Sequence, residues 1–248
     1  MRLPSVTAFF PAYNDGGTIA SMVLLTLQVL PKVTDDFEIF VVNDGSADHT
    51  ADVVAELVRQ YPQVRLIEHG RNRGYGAALR SGFANATKEW VFYTDGDAQY
   101  DPGELVNLVA AVREDIDVVN GYKVVRRDPF YRIVVGRIYH HIVSFAFGLR
   151  LRDVDCDFRL IRRSALERVQ LVSDLGVICV EMVRKFQDAD CRFAEVPVSH
   201  YHRSYGSSQF FQFRRLCRVA VRLLELWWRL IVRRGHPTPV SYQPSTEP

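Results

Sequence analysis

The chain has 248 residues, of which 48% are hydrophobic and 24% charged, and its formal net charge is +2. This composition is typical of one or two globular domains and excludes long disorder, collagen-like repeats and a small disulfide scaffold. The small net charge also argues against a nucleic-acid-binding protein.

Apolar runs alternate with amphipathic segments over the first two thirds of the chain. Runs that are apolar on both faces predict buried strands at 6–11, 38–43, 64–68, 90–95 and 117–121. Helical patterns predict helices at 18–30, 50–61, 76–86 and 102–113, the last of them capped by Asp101 before Pro102. This order predicts an α/β fold with a doubly wound, mostly parallel sheet.

Ligands of such sheets bind beyond the carboxyl ends of the strands, and acidic residues follow three of the predicted strands. Asp15 follows the first, Asp44 the second, and the sequence DGDAQ at 95–99 the fourth. Mg²⁺ or Mn²⁺ takes oxygen ligands from one or two carboxylates and completes its shell with substrate phosphate and water. We therefore predict such a metal at Asp95, Asp97 and Gln99. An acidic turn that caps the next helix is the alternative.

The segment 71–78 is basic, then glycine-rich, then helical. It lacks both GxxxxGK[ST] and GxGxxG, so we expect neither ATP hydrolysis nor NAD binding. A helix that begins here could face a phosphate group. Close packing of the helix against the sheet is the alternative.

Residues 208–234 predict an amphipathic helix with arginines on its polar face. Between 203 and 234 the chain has eight arginines and one acid, Glu225. Such a helix suits a membrane interface; docking on its own domain or on a sister subunit, which would give a homo-oligomer, is the alternative. The stretch 130–148 is also amphipathic. We predict a catalytic domain over 1–207, this helix over 208–234 and a loose tail over 235–248.

The cysteines and the N-terminus indicate a reduced, cytoplasmic setting. Cys156, Cys179, Cys191 and Cys217 form no CxxC pair and have no histidine at zinc spacing. The N-terminus lacks the apolar segment of a signal peptide. The longest uncharged stretch, 16–31, is too short and too polar for a membrane-spanning helix.

Six motifs, in their order and spacing over residues 5–210, resemble the family 2 glycosyltransferases with the GT-A fold. They are FFPAYND, VVNDGSADHT, NRGYGAAL, TDGDAQYDP, DCDFRLIRR and HRSYGSSQ. The similarity points to the branch that transfers mannose or glucose to dolichyl or polyprenyl phosphate. It implies a Rossmann-like, mostly parallel sheet with helices on both faces.

The resemblance also implies roles for residues that follow the strands. Pro11, Tyr13 and Asp15 would line the base and ribose of a nucleotide, and Asp44 would bind the base or ribose. The family usually has Glu at the position of Asp15.

Asp95 would face the sugar-nucleotide in such an enzyme, while Asp97 and Gln99 would hold the metal on the diphosphate. Arg203 would lie on the phosphate-binding loop, together with Ser208, where relatives often have Lys. Asp95, Asp97 and Arg203 are thus the implied catalytic set.

The implied reaction is inverting, metal-dependent transfer of a hexose, mannose or glucose, from a GDP- or UDP-linked donor to a polyprenyl phosphate. The enzyme would be peripheral on the cytoplasmic face of a membrane. A lipid phosphate is already anionic, so it needs cationic positioning and no general base. The candidate acceptor-binding residues are Lys123, Arg132, Arg137 and Arg159. Glu181 is a candidate base or a residue behind the site, and a structural role is its alternative.

Two other functions remain open at this point. One is a soluble transferase that acts on a protein or saccharide hydroxyl, and the other is a non-catalytic binding module with the same fold. The intact set of Asp95, Asp97 and Gln99 argues against the binding module. The absence of a QxxRW motif argues against a processive synthase.

Overall fold

The computed structural model describes residues 2–126, 130–203, 205 and 213–233. The strands are β1 (Val6–Ala12), β2 (Phe37–Asn43), β3 (Val64–Glu68), β4 (Trp90–Thr94), β5 (Val118–Arg126), β6 (Phe158–Arg162) and β7 (Phe193–His200). The α-helices are α1 (Ile19–Val33), α2 (Thr50–Gln60), α3 (Tyr75–Asn85), α4 (Leu105–Ala110), α5 (Phe130–Phe147), α6 (Arg163–Glu167), α7 (Ile178–Asp188) and α8 (Phe213–Trp227).

The strands form one seven-stranded sheet in the order β3-β2-β1-β4-β6-β5-β7. β6 is antiparallel to both of its neighbours, and the other pairs are parallel. The sheet is therefore mostly parallel, as predicted, but it has an antiparallel insertion that the pattern of alternating strands and helices did not reveal.

Both faces of the sheet are covered by helices, because the strands are apolar on both sides. Phe10 packs in a cluster with residues of α1, α2 and α4, whereas its neighbour Phe9 packs with residues of α3 and α7. A third apolar cluster joins α5, α7 and α8 through Val143, Val180 and Leu226. The predicted α/β architecture is confirmed.

Element boundaries differ from prediction where tertiary pairing decides them. β5 continues to Arg126 because it pairs with β7 along that length. The fourth predicted helix starts at Pro102, as expected, and Asp101 Oδ1 caps it by accepting a hydrogen bond from Gly103 N (2.8 Å). Its first turn, Pro102–Glu104, is a 3₁₀ helix, and the α-helix that follows ends at Ala110, three residues before the predicted end.

The predicted helix over 208–234 corresponds to α8, which continues as a π-helical turn over Trp228–Val232. Residues 208–212 and the predicted loose tail lie outside the described residues, so the domain boundaries stay predictions. Among the described helices, none has both the length and the apolar character needed to cross a bilayer.

Candidate active site

The carboxyl ends of β1, β2 and β4 form one rim, because these strands are parallel neighbours. Two hydrogen bonds join the loop after β4 to the end of β1 and to the loop that follows β1. Gly96 N donates to Pro11 O (3.2 Å), and Thr18 Oγ1 donates to Gly96 O (2.8 Å). Asp15 and Asp95, which follow β1 and β4, therefore belong to a single surface.

Asp157 joins this rim from β6, and sequence analysis did not assign it a role. β4 and β6 pair with Thr94 opposite Phe158, so Asp95 and Asp157 are the next facing positions beyond the paired strands. Asp157 Oδ1 accepts a hydrogen bond from Cys179 Sγ (3.2 Å). Asp157 lies beside Asp95 because β6 is antiparallel to β4. The pattern of alternating strands and helices in the sequence does not reveal an antiparallel strand, so this residue was missed.

Asp95 is a partly buried carboxyl with other carboxyls around it. Its Oδ1 accepts a hydrogen bond from Tyr75 OH (2.8 Å). Burial raises the pKa of Asp95 well above its ordinary value, and the negative charges of Asp157 and Asp97 raise it further. A cation at the rim would therefore stabilise the ionised form of Asp95.

Asp97 is 3% exposed, and its two oxygens have different partners. Oδ1 accepts a hydrogen bond from the backbone N of Gln99 (3.1 Å), and Oδ2 accepts a charge-assisted hydrogen bond from Arg203 Nη2. Arg203 reaches the rim because the chain leaves β7 beside the DGDAQ loop. Two of the residues in the implied catalytic set are thus in direct contact.

Gln99 ties the chain after β7 to this loop. Its Nε2 donates to Tyr201 O (3.1 Å), while Tyr201 N donates to Gln99 O (2.8 Å). The metal role predicted for Gln99, which its Oε1 would serve, stays a prediction. These paired hydrogen bonds fix the backbone of Tyr201, which lies two residues before Arg203.

The rim has the donor chemistry that a hard divalent cation requires. Burial raises the pKa of Asp15 to about 6, against a hydrogen bond from Tyr13 N that lowers it, and the charge of Asp97 raises it further. Within the described residues, no group of three or more His, Cys, Asp or Glu side chains has the arrangement of a metal site. Asp15, Asp95 and Asp97 offer carboxylate oxygens at the rim, the ligand type of Mg²⁺ or Mn²⁺, which take few protein carboxylates and complete their shell with substrate phosphate.

The loop after β1 carries the residues predicted to meet the nucleotide. Tyr13 is 40% exposed, and its backbone N donates to Asp15 Oδ2 (3.0 Å). Asn14 between them has a φ of 58°, and Asp15 N donates to Thr50 Oγ1 (3.0 Å). The Asp15 carboxylate shapes this turn, while Tyr13 presents its ring to solvent.

Asp44 has hydrogen-bond donors on both carboxylate oxygens. Its Oδ1 lies 2.7 Å from His69 Nδ1 and accepts from Arg73 N (2.9 Å), and its Oδ2 accepts from Gly74 N (2.8 Å). Asp44 thus fixes the loop that begins α3. Its predicted contact with a base or ribose stays a prediction.

Gly74 and Gly76 lie where α3 packs against the chain before α7. Gly74 has a φ of +97°, and Gly76 N donates to Asp174 O (2.8 Å). A Cβ at Gly76 would lie 2.2 Å from Ser173 O. The glycines of segment 71–78 are therefore explained by close packing, which was the alternative left open.

Lys123 and Arg159 are both anchored beneath the rim. Lys123 Nζ donates to Asp155 O (2.7 Å) and lies 3.7 Å from Asp153 Oδ2. Arg159 is 1% exposed, and its guanidinium donates to Asn120 Oδ1, Tyr93 OH and Val154 O. These contacts favour a positioning role for both residues, holding the loop that carries Asp157, over the predicted direct contact with an acceptor. The side chains of Arg132 and Arg137, and all of Ser208, lie outside the described residues.

Glu181 lies in the core at 0% exposure, where its carboxylate is paired. It accepts hydrogen bonds from Lys185 Nζ (2.6 Å), Ser173 N (2.8 Å) and Arg229 Nη2 (3.3 Å). Burial raises its pKa, but the charge and hydrogen bond of Lys185, together with hydrogen bonds from Ser173, outweigh burial, so the pKa of Glu181 is below its usual value. The structural role, not the role of a base, is favoured.

Comparison with known proteins agrees with this geometry. The sequence profile of the glycosyl transferase family 2 matches residues 7–170. The chain is 25% identical over 225 residues to an undecaprenyl-phosphate 4-deoxy-4-formamido-L-arabinose transferase from Photorhabdus laumondii, covering 90% of this chain and 68% of that protein. It is 28% identical over 210 residues to the transferase of the same name from Serratia proteamaculans, covering 84% of this chain and 63% of that protein.

Solved structures show the same fold at low sequence identity. Glucosyl-3-phosphoglycerate synthase from Mycobacterium tuberculosis, in complex with Mn²⁺, UDP and phosphoglyceric acid, superposes with a TM-score of 0.68 at 18% identity, over 94% of this chain and 80% of that one. The complex of the same enzyme with Mg²⁺ and UDP gives a TM-score of 0.67 at 17% identity, over the same shares of the two chains. With its GT-A fold and a profile match over most of its length, this chain belongs to the glycosyl transferase family 2.

Proposed function

We propose that the protein transfers a sugar from a nucleoside-diphosphate donor to a polyprenyl phosphate, with inversion at the anomeric carbon. The observation that carries this proposal is the contact of Asp97 with Arg203 beside Asp95 and Asp157, at the rim where a donor would bind. The sugar is a hexose, mannose or glucose, as the motifs imply; the modified arabinose named for the relatives is the competing donor.

Asp97 would hold Mg²⁺ or Mn²⁺ together with Gln99 and Asp95. A bound metal would screen the diphosphate and stabilise charge on the leaving group. One solved enzyme of the same fold binds UDP with Mn²⁺ in one complex and with Mg²⁺ in another, which supports a UDP-linked donor over a GDP-linked one. Arg203 adds a guanidinium that can bind a phosphate through two parallel hydrogen bonds.

The relatives and the charge of the chain support the proposed acceptor. The relatives named above are undecaprenyl-phosphate transferases, and the chain spans 63% to 68% of their length. The basic segment 208–234 supports a peripheral position at the membrane, which we place on the cytoplasmic face. An anionic phosphate acceptor needs no base. Arg132 and Arg137 remain its candidate cations.

A hydroxyl acceptor is the second candidate, because one observation favours it. Asp95, whose pKa is raised, faces Asp157, and such a pair could take a proton from a sugar or protein hydroxyl.

The test is transfer by the purified protein from labelled UDP- and GDP-sugars to undecaprenyl phosphate, with Mn²⁺, Mg²⁺ or EDTA. We expect turnover with a UDP-sugar and a metal, and a loss of about a hundredfold in Asp97→Asn, since charge stabilisation at the donor phosphates supplies that much. The control, Asp52→Asn, alters an exposed acid on α2 and should leave turnover unchanged. Transfer to a saccharide hydroxyl alone, or equal turnover in EDTA, would contradict the proposal.

A further inference from the structure

His69 lies directly after β3, with its ring buried between two polar side chains. Its Nδ1 lies 2.7 Å from Asp44 Oδ1, and its Nε2 lies 2.9 Å from Ser81 Oγ. The side chains of His69 and Asp44 are 3% and 5% exposed, so these hydrogen bonds belong to the interior. A carboxylate only accepts hydrogen bonds. Nδ1 of a neutral ring therefore donates to Asp44, and the hydroxyl of Ser81 donates to Nε2.

The same three residue types form the catalytic triad of many hydrolases, but Ser81 is not placed as a nucleophile. It lies in the middle of α3, where the backbone N–H groups around it are bonded within the helix and cannot stabilise an oxyanion. The arrangement of Ser81, His69 and Asp44 is therefore one that holds side chains in place.

Asp44 carries this constraint to the chain that leads into α3. Its Oδ1 also accepts a hydrogen bond from Arg73 N (2.9 Å), and its Oδ2 accepts one from Gly74 N (2.8 Å). Gly74 has a φ of +97°. Because glycine has many accessible backbone conformations, the hydrogen bond to Asp44 selects this one.

Tyr75 follows Gly74 and links the start of α3 to the acidic rim. Its hydroxyl donates to Asp95 Oδ1 (2.8 Å). Tyr75 is the first residue of α3, so the direction of its side chain depends on the backbone at Gly74. A series of hydrogen bonds thus leads from the ring of His69 to the carboxyl of Asp95.

We propose that His69 is a positioning residue, which holds Asp44 and thereby directs the hydroxyl of Tyr75 at Asp95. This deepens the proposed function, on which it rests for the role of Asp95 at the donor. Among the described residues, Asp44 Oδ2 has Gly74 N as its donor, which leaves an acceptor site for an N–H or O–H group of a nucleotide. His69 therefore sets the geometry of the nucleotide contact and of the acidic rim together.

The first experiment compares two amide side chains that replace different ring nitrogens. In His69→Asn the side-chain amide takes the place of Nδ1 and still donates to Asp44, whereas in His69→Gln it takes the place of Nε2. Exchange of the Arg73 and Gly74 amide hydrogens should be about tenfold faster in His69→Gln, since Asp44 loses a hydrogen bond to its charged group. In His69→Asn it should stay close to the wild-type rate.

Two serine variants and a thermal unfolding measurement complete this experiment. Ser81→Ala removes the donor to Nε2 and should speed the same exchange, while Ser164→Ala, at an exposed position of α6, should not. Unfolding is followed because a destabilised fold speeds exchange at every amide. Equal exchange in His69→Asn and His69→Gln, or an increase spread evenly over the chain, would overturn the inference. If His69→Gln does not fold, Ser81→Ala decides alone.

The second experiment asks whether His69 acts through Tyr75. His69→Gln and Tyr75→Phe should each lower kcat about tenfold, and the double variant should lose no more than Tyr75→Phe alone. His69→Gln should also raise KM for the donor, which Tyr75→Phe should not, because only the first change disturbs Asp44. Losses in kcat that multiply in the double variant would contradict the positioning role.

The exchange measurement separates this inference from the proposed function, because it needs neither donor nor acceptor. If the amides respond as expected but the wild type transfers no sugar to undecaprenyl phosphate, the proposed function fails while the positioning of α3 by His69 stands. The kinetic comparison is then made on hydrolysis of the UDP-sugar.

Discussion

Replacing Glu181 by Gln tests whether this residue stabilises the fold or acts in chemistry. The substitution keeps the size of the side chain and removes its charge. It leaves the ammonium of Lys185, whose side chain is 3% exposed, with the uncharged carbonyl of Gln170 as an acceptor. Breaking a buried ion pair from one side costs about 3–5 kcal/mol. For a chain of this size the melting temperature should fall by about 6–20 °C.

The assay is calorimetric or urea unfolding at pH 7.5, with Glu167→Gln as the control. Glu167 forms an ion pair with Arg163 at the same helical spacing, but both side chains are about half exposed, so its loss should cost less than about 1 kcal/mol. The double variant Glu181→Leu/Lys185→Met should recover only part of the stability, because it removes the buried pair but leaves Arg229 and the backbone N of Ser173 without the carboxylate to which they donate.

The pH dependence gives a second check on Glu181. A carboxyl whose folded pKa is depressed stabilises the protein above its unfolded pKa, and this contribution is lost as pH falls through the folded pKa. The difference between wild type and Glu181→Gln should therefore be full at neutral pH and shrink below the usual pKa of 4.5. A variant that melts within 1 °C of the wild type, yet loses turnover, would refute the structural role.

Three further predictions concern the rim. Asp15→Asn should raise the unfolding free energy at pH 7.5 by about 2–3 kcal/mol, because the raised pKa makes the charged form costly. That gain should shrink as pH falls below about 6, and a gain independent of pH in urea titrations would contradict it. Gly76→Ala should cost about 1–3 kcal/mol through contact with Ser173 O, whereas Gly70→Ala, with open space around it, should be nearly neutral. Arg203→Lys should keep the charge beside Asp97 but raise KM for the donor about tenfold, since Lys cannot bind a phosphate through two parallel bonds; equal steady-state kinetics would exclude that role.

The strands β1 to β5 could be predicted because their runs are apolar on both faces, whereas β7, which pairs in parallel with β5, was missed. The direction of β6 could not be predicted, since a five-residue strand can have the same composition whether it pairs in parallel or antiparallel. Asp157 was missed for that reason: its position beside Asp95 depends on the direction of the strand that follows it.

Arg159 shows a second limit of sequence reasoning. An arginine after an acidic loop is a reasonable candidate to bind a phosphate, and nothing in the order of residues tells whether it faces a cleft or a core. Its environment depends on Tyr93 and Asn120, which lie on two other strands. By contrast, the DGDAQ loop and Arg203 lie close together as the family motifs imply, because each directly follows a strand of the sheet.

The hydrogen bonds of Glu181 also bear on how membrane attachment should be studied. Arg229, which follows α8, reaches into the core to Glu181, and Glu181 in turn holds the backbone of Ser173 against the start of α3. Cutting off the last helix would thus strip a cation from the interior and loosen the segment beside the donor loops. In a truncated chain, loss of membrane attachment could not be distinguished from damage to the residues around the candidate active site. Single-residue changes on the outer surface of α8 can distinguish the two effects.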